Sequence, residues 1–326
     1  MNILIIGGSG LLGSHIAHEA LKSGHTVTVL SRGNNKSKIN DNGKIKYLKG
    51  DIYALSDDEL TALFSGQDGA VYALGIDDRQ LYRRPSYPQF RKDHVEICLR
   101  ALRKAKECGL KKFVVLGSYF THFANKYPEL ELADNHIYIK TRVEQRDAVL
   151  RETSPGFDTF VLELPYILGT QPGKVPPWTF IFSMLATGGK FSLFFTKGGT
   201  AAVTAVQVGQ AAIGAMERGI GGKAYPLGGI NYLWTDFAKK YFEVTKKEKT
   251  LIPLPPLVFK LFGIISAFFL CLQGKERGLN IGKFARFQYM DAFIEPADSM
   301  AILGYPHDDY DSALSKVIKE WIDIHK

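Results

Sequence analysis

The chain has 326 residues, 45% of them hydrophobic, three cysteines and a formal net charge of +8. That length buries a full core and falls between one large domain and two modest ones. Cys98, Cys108 and Cys271 stand in no CxxC spacing, which argues against a disulfide framework and a zinc site and suits a reducing compartment. The basic residues are scattered through helices that also carry acids, so the charge reads as weak attraction for anionic ligands rather than a nucleic-acid surface.

The opening MNILIIGGSGLLG lacks the basic n-region of a signal peptide, and a cytoplasmic location is expected. Short β-branched runs at 3–6, 26–30, 45–48, 70–74, 113–116 and 159–162 predict strands, and the clearest helical patterns between them are 11–23, 86–108 and 135–152. This alternation predicts an α/β fold with a parallel sheet and helices on both faces. Directly after the first strand stands Gly7-Gly8-Ser9-Gly10-Leu11-Leu12-Gly13. Glycines there allow a tight turn and close approach of a diphosphate, and the following helix N-terminus supplies N–H donors, so the strand–turn–helix unit is a dinucleotide site. His15 and His18 share a helix face with Glu19 and Lys22 and read as solvated surface.

An NAD-specific site places an acid at the end of the second strand; here Ser31-Arg32-Gly33 stands instead, with Lys36 and Lys38 following. An arginine suits a 2′-phosphate, which favours NADP over NAD, a plain surface-loop arginine being the other reading. Asp51, after the third strand, is placed either to meet the adenine amino group or to form a turn. Past the fourth strand, Arg79, Arg83 and Arg84 in a basic loop suit an anionic substrate, a solvated loop or an oligomer contact.

After residue 168 the texture becomes Gly/Pro-punctuated, with helices expected at 235–247 and 312–325. The expected division is a nucleotide-binding unit, 1–168, interleaved to some extent with later segments, and a smaller α+β substrate lobe, 169–326. Residues 257–272 are apolar at nearly every position except Lys260 and fall short of the ~20 residues that span a bilayer. They read first as a buried helix of the second lobe, then as a monotopic membrane anchor, and last as a span.

Together these pieces resemble the extended and atypical short-chain dehydrogenase/reductase superfamily, which holds nucleotide-sugar epimerases, dihydroflavonol reductases and 3β-hydroxysteroid dehydrogenases. The resemblance rests on Gly7-x-x-Gly10-x-x-Gly13, Gly50-Asp51, Tyr72-Ala-Leu-Gly75, Phe113-Val-Val-Leu-Gly-Ser118, Lys140-x-x-x-Glu144, Leu164-Pro-Tyr-Ile-Leu-Gly169, Gly222-Lys-Ala-Tyr-Pro-Leu-Gly-Gly229 and Ala301-Ile-Leu-Gly-Tyr305. It implies a Rossmann-type doubly wound sheet and cofactor contacts at Gly7, Gly10, Leu11, Leu12, Gly13, Ser31, Arg32, Asp51, Ala73, Leu74, Gly75, Lys140, Pro165 and Ile167. It also implies that Ser118 orients the substrate oxygen, that Lys140 holds the nicotinamide ribose, and that helices 86–108 and 135–152 form a homodimer interface.

The family's acid/base tyrosine stands four residues before its lysine, and here that position is His136. On a helix running through 135–152, His136 lies about 40° from Lys140 and Tyr138 about 200° away, so Tyr138 is expected to pack elsewhere. His136 is the expected proton relay, with a surface histidine, or a hydroxyl from Tyr119 or Tyr127, as alternatives. The function these features imply is an NADP-dependent oxidoreductase or epimerase-like enzyme acting on a carbonyl or secondary alcohol of a small molecule. The alternatives are an NADP(H)-binding sensor or scaffold without catalysis, and a sterol or lipid dehydrogenase docked on membranes.

Overall fold

The computed structural model describes residues 1–33, 43–171, 176 and 178–325. Seven parallel strands form the central sheet: β1 (Asn2–Ile6), β2 (Thr26–Ser31), β3 (Ile45–Lys49), β4 (Gly69–Tyr72), β5 (Lys112–Leu116), β6 (Asp158–Glu163) and β7 (Lys223–Pro226). Their order is β7-β6-β5-β4-β1-β2-β3, which is the doubly wound α/β arrangement. Alternation along each strand feeds two cores. Ile3, Ile5, Val27 and Val29 pack beneath helices α1 (Leu11–Lys22) and α4 (Ala205–Arg218), while Leu4, Ile6, Tyr72 and Phe113 pack on the opposite face, where α2 (Ile97–Glu107) and α3 (Ile137–Arg151) contribute Leu102 and Val149.

The two later elements α4 and β7 return to the nucleotide-binding unit across the expected boundary at 168. Because α4 lies against α1, with Gly209 closing on the His15 backbone, Glu19 is buried and His15 half-buried. The fully solvated face expected for α1 is therefore confined to its His18 and Lys22 side.

The second lobe centres on strand Gly199–Thr204, which pairs with Ile230–Leu233, Asp291–Ala292 and Tyr166–Leu168. Beside it an aromatic core forms, in which Trp178 and Phe237 stack with ring centroids 4.7 Å apart and Phe182, Tyr241 and Trp321 pack around them. A two-stranded parallel ribbon, Phe191–Phe194 with Thr250–Pro253, leads into α5 (Pro256–Leu272), which packs on α6 (Ile281–Gln288).

The expectation that 257–272 is a buried helix is corrected by its exposure. Only Phe259 and Gly263 are buried in α5, and Leu257, Phe262, Phe268 and Leu272 are each more than half exposed. The physical reason is the seam: residues 259, 263, 266 and 270 form one narrow stripe at helical spacing, and they alone in α5 are not exposed. Gly263 sits so close to Gly282 of α6 that a Cβ there would lie 2.5 Å from the Gly282 amide. Among the described residues, no helix is long and apolar enough to cross a membrane.

Gly214 of α4 faces helix Ala297–Leu303, and a Cβ on it would fall 1.7 Å from the Leu303 carbonyl oxygen. Gly214→Ala is expected to destabilise the chain by about 2–3 kcal/mol through forced backbone displacement, read as a lowered urea midpoint. An unchanged midpoint would show that this helix shifts freely.

Candidate functional site

At the carboxyl edge of the sheet, the turn after β1 leaves no room for a side chain at Gly7, Gly8 or Gly13. Gly7 has φ +89°, and a Cβ on it would lie 2.6 Å from the Leu74 side chain and 3.0 Å from the Ala73 carbonyl. A Cβ on Gly13 would meet the Gly7 carbonyl at 2.4 Å. The N-cap of α1 is Gly10, which has no side-chain cap, so the first-turn amides of Leu11, Leu12 and Gly13 keep the donor capacity and positive potential of a helix N-terminus.

In front of this turn opens a cleft of about 720 Å³. Gly7, Gly10, Ser31, Arg32, Asp51, Ala73, Leu74 and Gly75, all singled out in the sequence, line it together. Strand β4 ends at Tyr72, two residues earlier than the pattern predicts, and this leaves Ala73 and Leu74 free to form the cleft wall. Asp51 lines the cleft, and its Oδ1 accepts from the Tyr53 amide at 3.2 Å as the turn reading expects. Lys36 and Lys38 lie outside the described residues.

Sequence reasoning missed Tyr53, Tyr82 and Asp93, which also line the cleft. Tyr82 donates to Asp93, and burial together with that carboxylate raises both phenols' pKa. Tyr53 follows Asp51 closely and was within reach of a local reading, whereas Tyr82 and Asp93 are brought in by folding alone. Gln171 was also missed; its Nε2 donates to the Ser9 carbonyl at 2.7 Å and ties the second lobe to the glycine turn.

Beyond the residues that line the cleft, Ser118 is buried just after β5, where its hydroxyl caps helix Tyr119–Lys126. Ser118 lies near enough to the Tyr138 phenol to lower its pKa, and the Tyr138 ring is held edge-on by His94 at 5.2 Å and Phe120 at 6.2 Å. One helical turn on is Arg142, 5% exposed, whose Nη2 donates to the Leu116 carbonyl at 2.9 Å and Nη1 to Gln145 Oε1 at 2.8 Å. Its Nε is buried and has no partner among the described residues, and Nη1 stands 3.6 Å from where a Cβ on Gly75 would be.

Burial raises the Tyr138 pKa, and Asp78 adds to this, while Arg142 and Ser118 oppose it. The phenol is therefore a proton donor at neutral pH. Asp78 itself is pushed up by burial and by its neighbour Asp77, and its charge acts on Tyr119, Tyr138 and Tyr166 together.

The structure does not bring His136 and Lys140 to Ser118. Helix α3 starts at Ile137, and His136 precedes it in extended conformation with φ −136° and ψ 113°. The angular relation computed for one continuous helix thus does not apply to His136. Its Nδ1 accepts from the Asn280 amide at 3.1 Å, its ring lies edge-on to Phe284 at 5.6 Å, and burial, then Lys283, lowers its pKa to about 4. Lys140 is exposed, with Nζ 5.1 Å from the Tyr87 ring centroid. Tyr138 and Arg142, four residues apart within α3, lie about 40° from one another, Tyr138 near Ser118 and Arg142 beside Gly75 of the cleft wall, which corrects the expectation that Tyr138 packs elsewhere.

Of the other candidates, Tyr119 is buried against Thr200 at 3.4 Å and Tyr127 stacks on Phe123. Pro165 is buried, and the Ile167 carbonyl is taken by Trp178 Nε1 at 2.7 Å. In the basic loop, Arg79 holds Asp77, and Arg84 reaches Cys271 Sγ and Glu276. Strand Leu81–Arg83 pairs antiparallel with Lys275–Arg277, so this loop is strapped to the second lobe rather than loose in solvent.

Residues 3–162 match the model of the NAD dependent epimerase/dehydratase family. No curated protein sequence matches the chain. Among solved structures, gox2253 superposes with a TM-score of 0.77 at 20% identity, covering 99% of this chain and 98% of its own. The UDP-glucuronic acid 4-epimerase from Bacillus cereus, solved with UDP-glucuronic acid and NAD, gives a TM-score of 0.71 at 14% identity with both chains covered 100%. The UDP-glucose 4-epimerase from Thermotoga maritima, solved with UDP-glucose, gives 0.69 at 15% identity with both covered 100%. These likenesses establish the fold.

His136 and His94 are both buried, and burial lowers the His94 pKa to about 3. In each case the folded pKa lies below the unfolded value near 6.5, so the neutral-imidazole stability is complete above about pH 6.5 and is lost as pH falls toward the folded pKa. Going from about pH 7 to about pH 5 is expected to cost about 2 kcal/mol per histidine, measured by urea unfolding, and His136→Asn is expected to remove its share of the slope. An identical pH slope in the variant would contradict a neutral, buried His136.

Proposed function

We propose that this chain, which belongs through residues 3–162 to the NAD dependent epimerase/dehydratase family, binds NADP and performs an epimerase- or oxidoreductase-type reaction at a carbonyl or secondary alcohol of a small molecule. The observation that carries this reading is the Arg142 guanidinium, which lies 5.9 Å from the Tyr138 ring centroid, is anchored on the Leu116 carbonyl and stands beside Gly75 of the glycine-turn cleft, with Ser118 near the phenol.

The site fits a dinucleotide on its own terms. The glycine turn packs too closely for side chains at Gly7, Gly8 and Gly13, the cleft has the volume of a cofactor site, and Arg142 Nε is a buried donor with no acceptor among the described residues. When bound, the nicotinamide supplies the hydride chemistry. The chain's own residues do the rest. The backbone from Gly7 to Gly13 and the first turn of α1 hold the diphosphate, and Ser118 orients the substrate oxygen. Tyr138 passes a proton to or from that oxygen. Arg142 takes the place expected of Lys140, donating to the ribose hydroxyls and keeping a fixed positive charge beside the phenol, since a guanidinium does not deprotonate.

Arg32 supports NADP over NAD, because it is exposed at the cleft edge where the adenosine ribose would lie and no acid accompanies it at the end of β2. The NAD seen in the Bacillus cereus epimerase belongs to a chain only 14% identical. A homodimer through 86–108 and 135–152 would rest on polar contacts, since the large apolar side chains exposed among the described residues lie outside both segments.

Tyr138→Phe is expected to lower NADPH-linked turnover of a responsive carbonyl or keto-sugar by about a thousandfold with dinucleotide affinity unchanged, while His136→Ala retains turnover. Loss with His136→Ala and retention with Tyr138→Phe would return the proton to His136, and tight NADPH binding without turnover of any substrate by the unaltered chain would support the sensor reading. Arg32→Ala is expected to weaken NADPH by about tenfold with NADH unaffected, measured by fluorescence titration. Equal effects on both would make NAD the cofactor.

A further inference from the structure

The described surface carries one large apolar feature that the dinucleotide site does not use. Nine long apolar side chains of α5, namely Leu257, Val258, Leu261, Phe262, Ile264, Ile265, Phe268, Phe269 and Leu272, are 46–68% exposed. At 100° per residue they sweep about 160° of the helix circumference, on the side away from the stripe at Phe259 and Gly263. The patch continues past the helix. The ribbon strand Thr250–Pro253 runs into α5, and Phe191, Leu193 and Ile252 point out of that ribbon, each more than 40% exposed. A contiguous exposed patch of this kind is a docking surface or an aggregation hazard.

Charge identifies the occupant. Between Thr245 and Arg286 the sequence has eight Lys and Arg against two Asp and Glu, so this segment carries +6 of the chain's +8. Lys246, Lys247 and Lys275 are exposed at the two ends of the segment, and Lys260 lies at the border of the apolar sweep, where its stem can lie along the helix while its ammonium reaches out. We infer that α5 and the adjoining ribbon dock on an anionic lipid bilayer, the helix lying in the headgroup boundary with the lysines around it on the phosphates and carboxylates of the lipids.

Two considerations separate this from other occupants. In a two-fold dimer the patch meets its own copy, which sets +6 against +6 with few acids to offset it. A fluid acyl layer also wraps a broad convex sweep that a rigid protein face covers only in part. At 1.5 Å per residue the 17 residues of α5 reach only about 25 Å, short of the ~30 Å hydrocarbon core, so the helix lies on the bilayer rather than through it. This inference is independent of the dinucleotide reading.

The test is co-sedimentation of the full chain with vesicles of phosphatidylcholine alone and of phosphatidylcholine mixed with phosphatidylserine, alongside its sedimentation-equilibrium mass without lipid. The expected result is partition onto the phosphatidylserine vesicles that falls as salt rises, with much weaker binding to phosphatidylcholine. The combined variant Phe262→Glu, Ile265→Glu and Phe268→Glu is expected to lower that partition by at least about tenfold with circular dichroism unchanged. Reversing charge with Lys246→Glu and Lys247→Glu is expected to lower it by about tenfold without touching the apolar face. Failure of the unaltered chain to bind phosphatidylserine vesicles at low salt would overturn the inference. Binding by both variants as strong as that of the unaltered chain, or a dimer abolished by the α5 variant without any vesicle binding, would also overturn it.

Discussion

The hydrogen bond from the Asn280 amide to His136 Nδ1 helps fix where helix α3 begins, and with it which side chains turn toward Ser118 and Gly75. With His136 held extended outside the helix, the first turn starts at Ile137, and the Tyr138 amide donates to the Gly278 carbonyl at 2.9 Å from the same second-lobe segment. The helix is thereby locked in rotation at its N-terminus. Tyr138 and Arg142 turn toward Ser118 and the inner edge of the sheet, while Lys140 turns out over Tyr87. The second lobe therefore sets which α3 side chains turn toward Ser118, and Gln171 on Ser9 ties that lobe to the glycine turn.

Arg142 is the side chain most sensitive to this arrangement. A buried guanidinium is costly unless its donors are met, and two of its nitrogens find Leu116 and Gln145 while Nε has no partner among the described residues. Gln145 is itself fixed by donating to the His94 carbonyl at 2.6 Å, and His94, kept neutral by burial, backs the Tyr138 ring. This chain of contacts runs from the π-helical turn at Lys92–Glu96 to the phenol. Substitutions at His94 or Gln145 would reach Tyr138 through positioning rather than contact with substrate.

The sheet was legible because burial on both faces of a parallel sheet leaves unbroken β-branched runs, and all six expected strands appear within a few residues of their expected bounds. The glycine turn was legible because its steric demands fall on consecutive residues. The inner end of the cleft was not. The sequence offers two pairs four residues apart, His136 with Lys140 and Tyr138 with Arg142, and choosing between them needs the helix start. Helix α3 buries Tyr138, Ile139, Thr141, Arg142, Gln145 and Arg146, polar and apolar residues alike, so it carries no hydrophobic stripe from which its inner face could be read. Helix α5 failed in the opposite sense. Its composition is that of a core helix, and only the packing shows that the lobe covers one stripe and leaves the rest to another medium.

The central claim is that Tyr138 and Arg142, rather than His136 and Lys140, meet the bound dinucleotide and substrate. A crystal structure of the chain soaked with NADP tests it most directly, through the side chains within hydrogen-bond reach of the nicotinamide ribose. The account predicts Arg142 on the ribose hydroxyls and the Tyr138 phenol facing the nicotinamide C4, with His136 still bonded to Asn280. Lys140 on the ribose with His136 swung in beside Ser118 would contradict it.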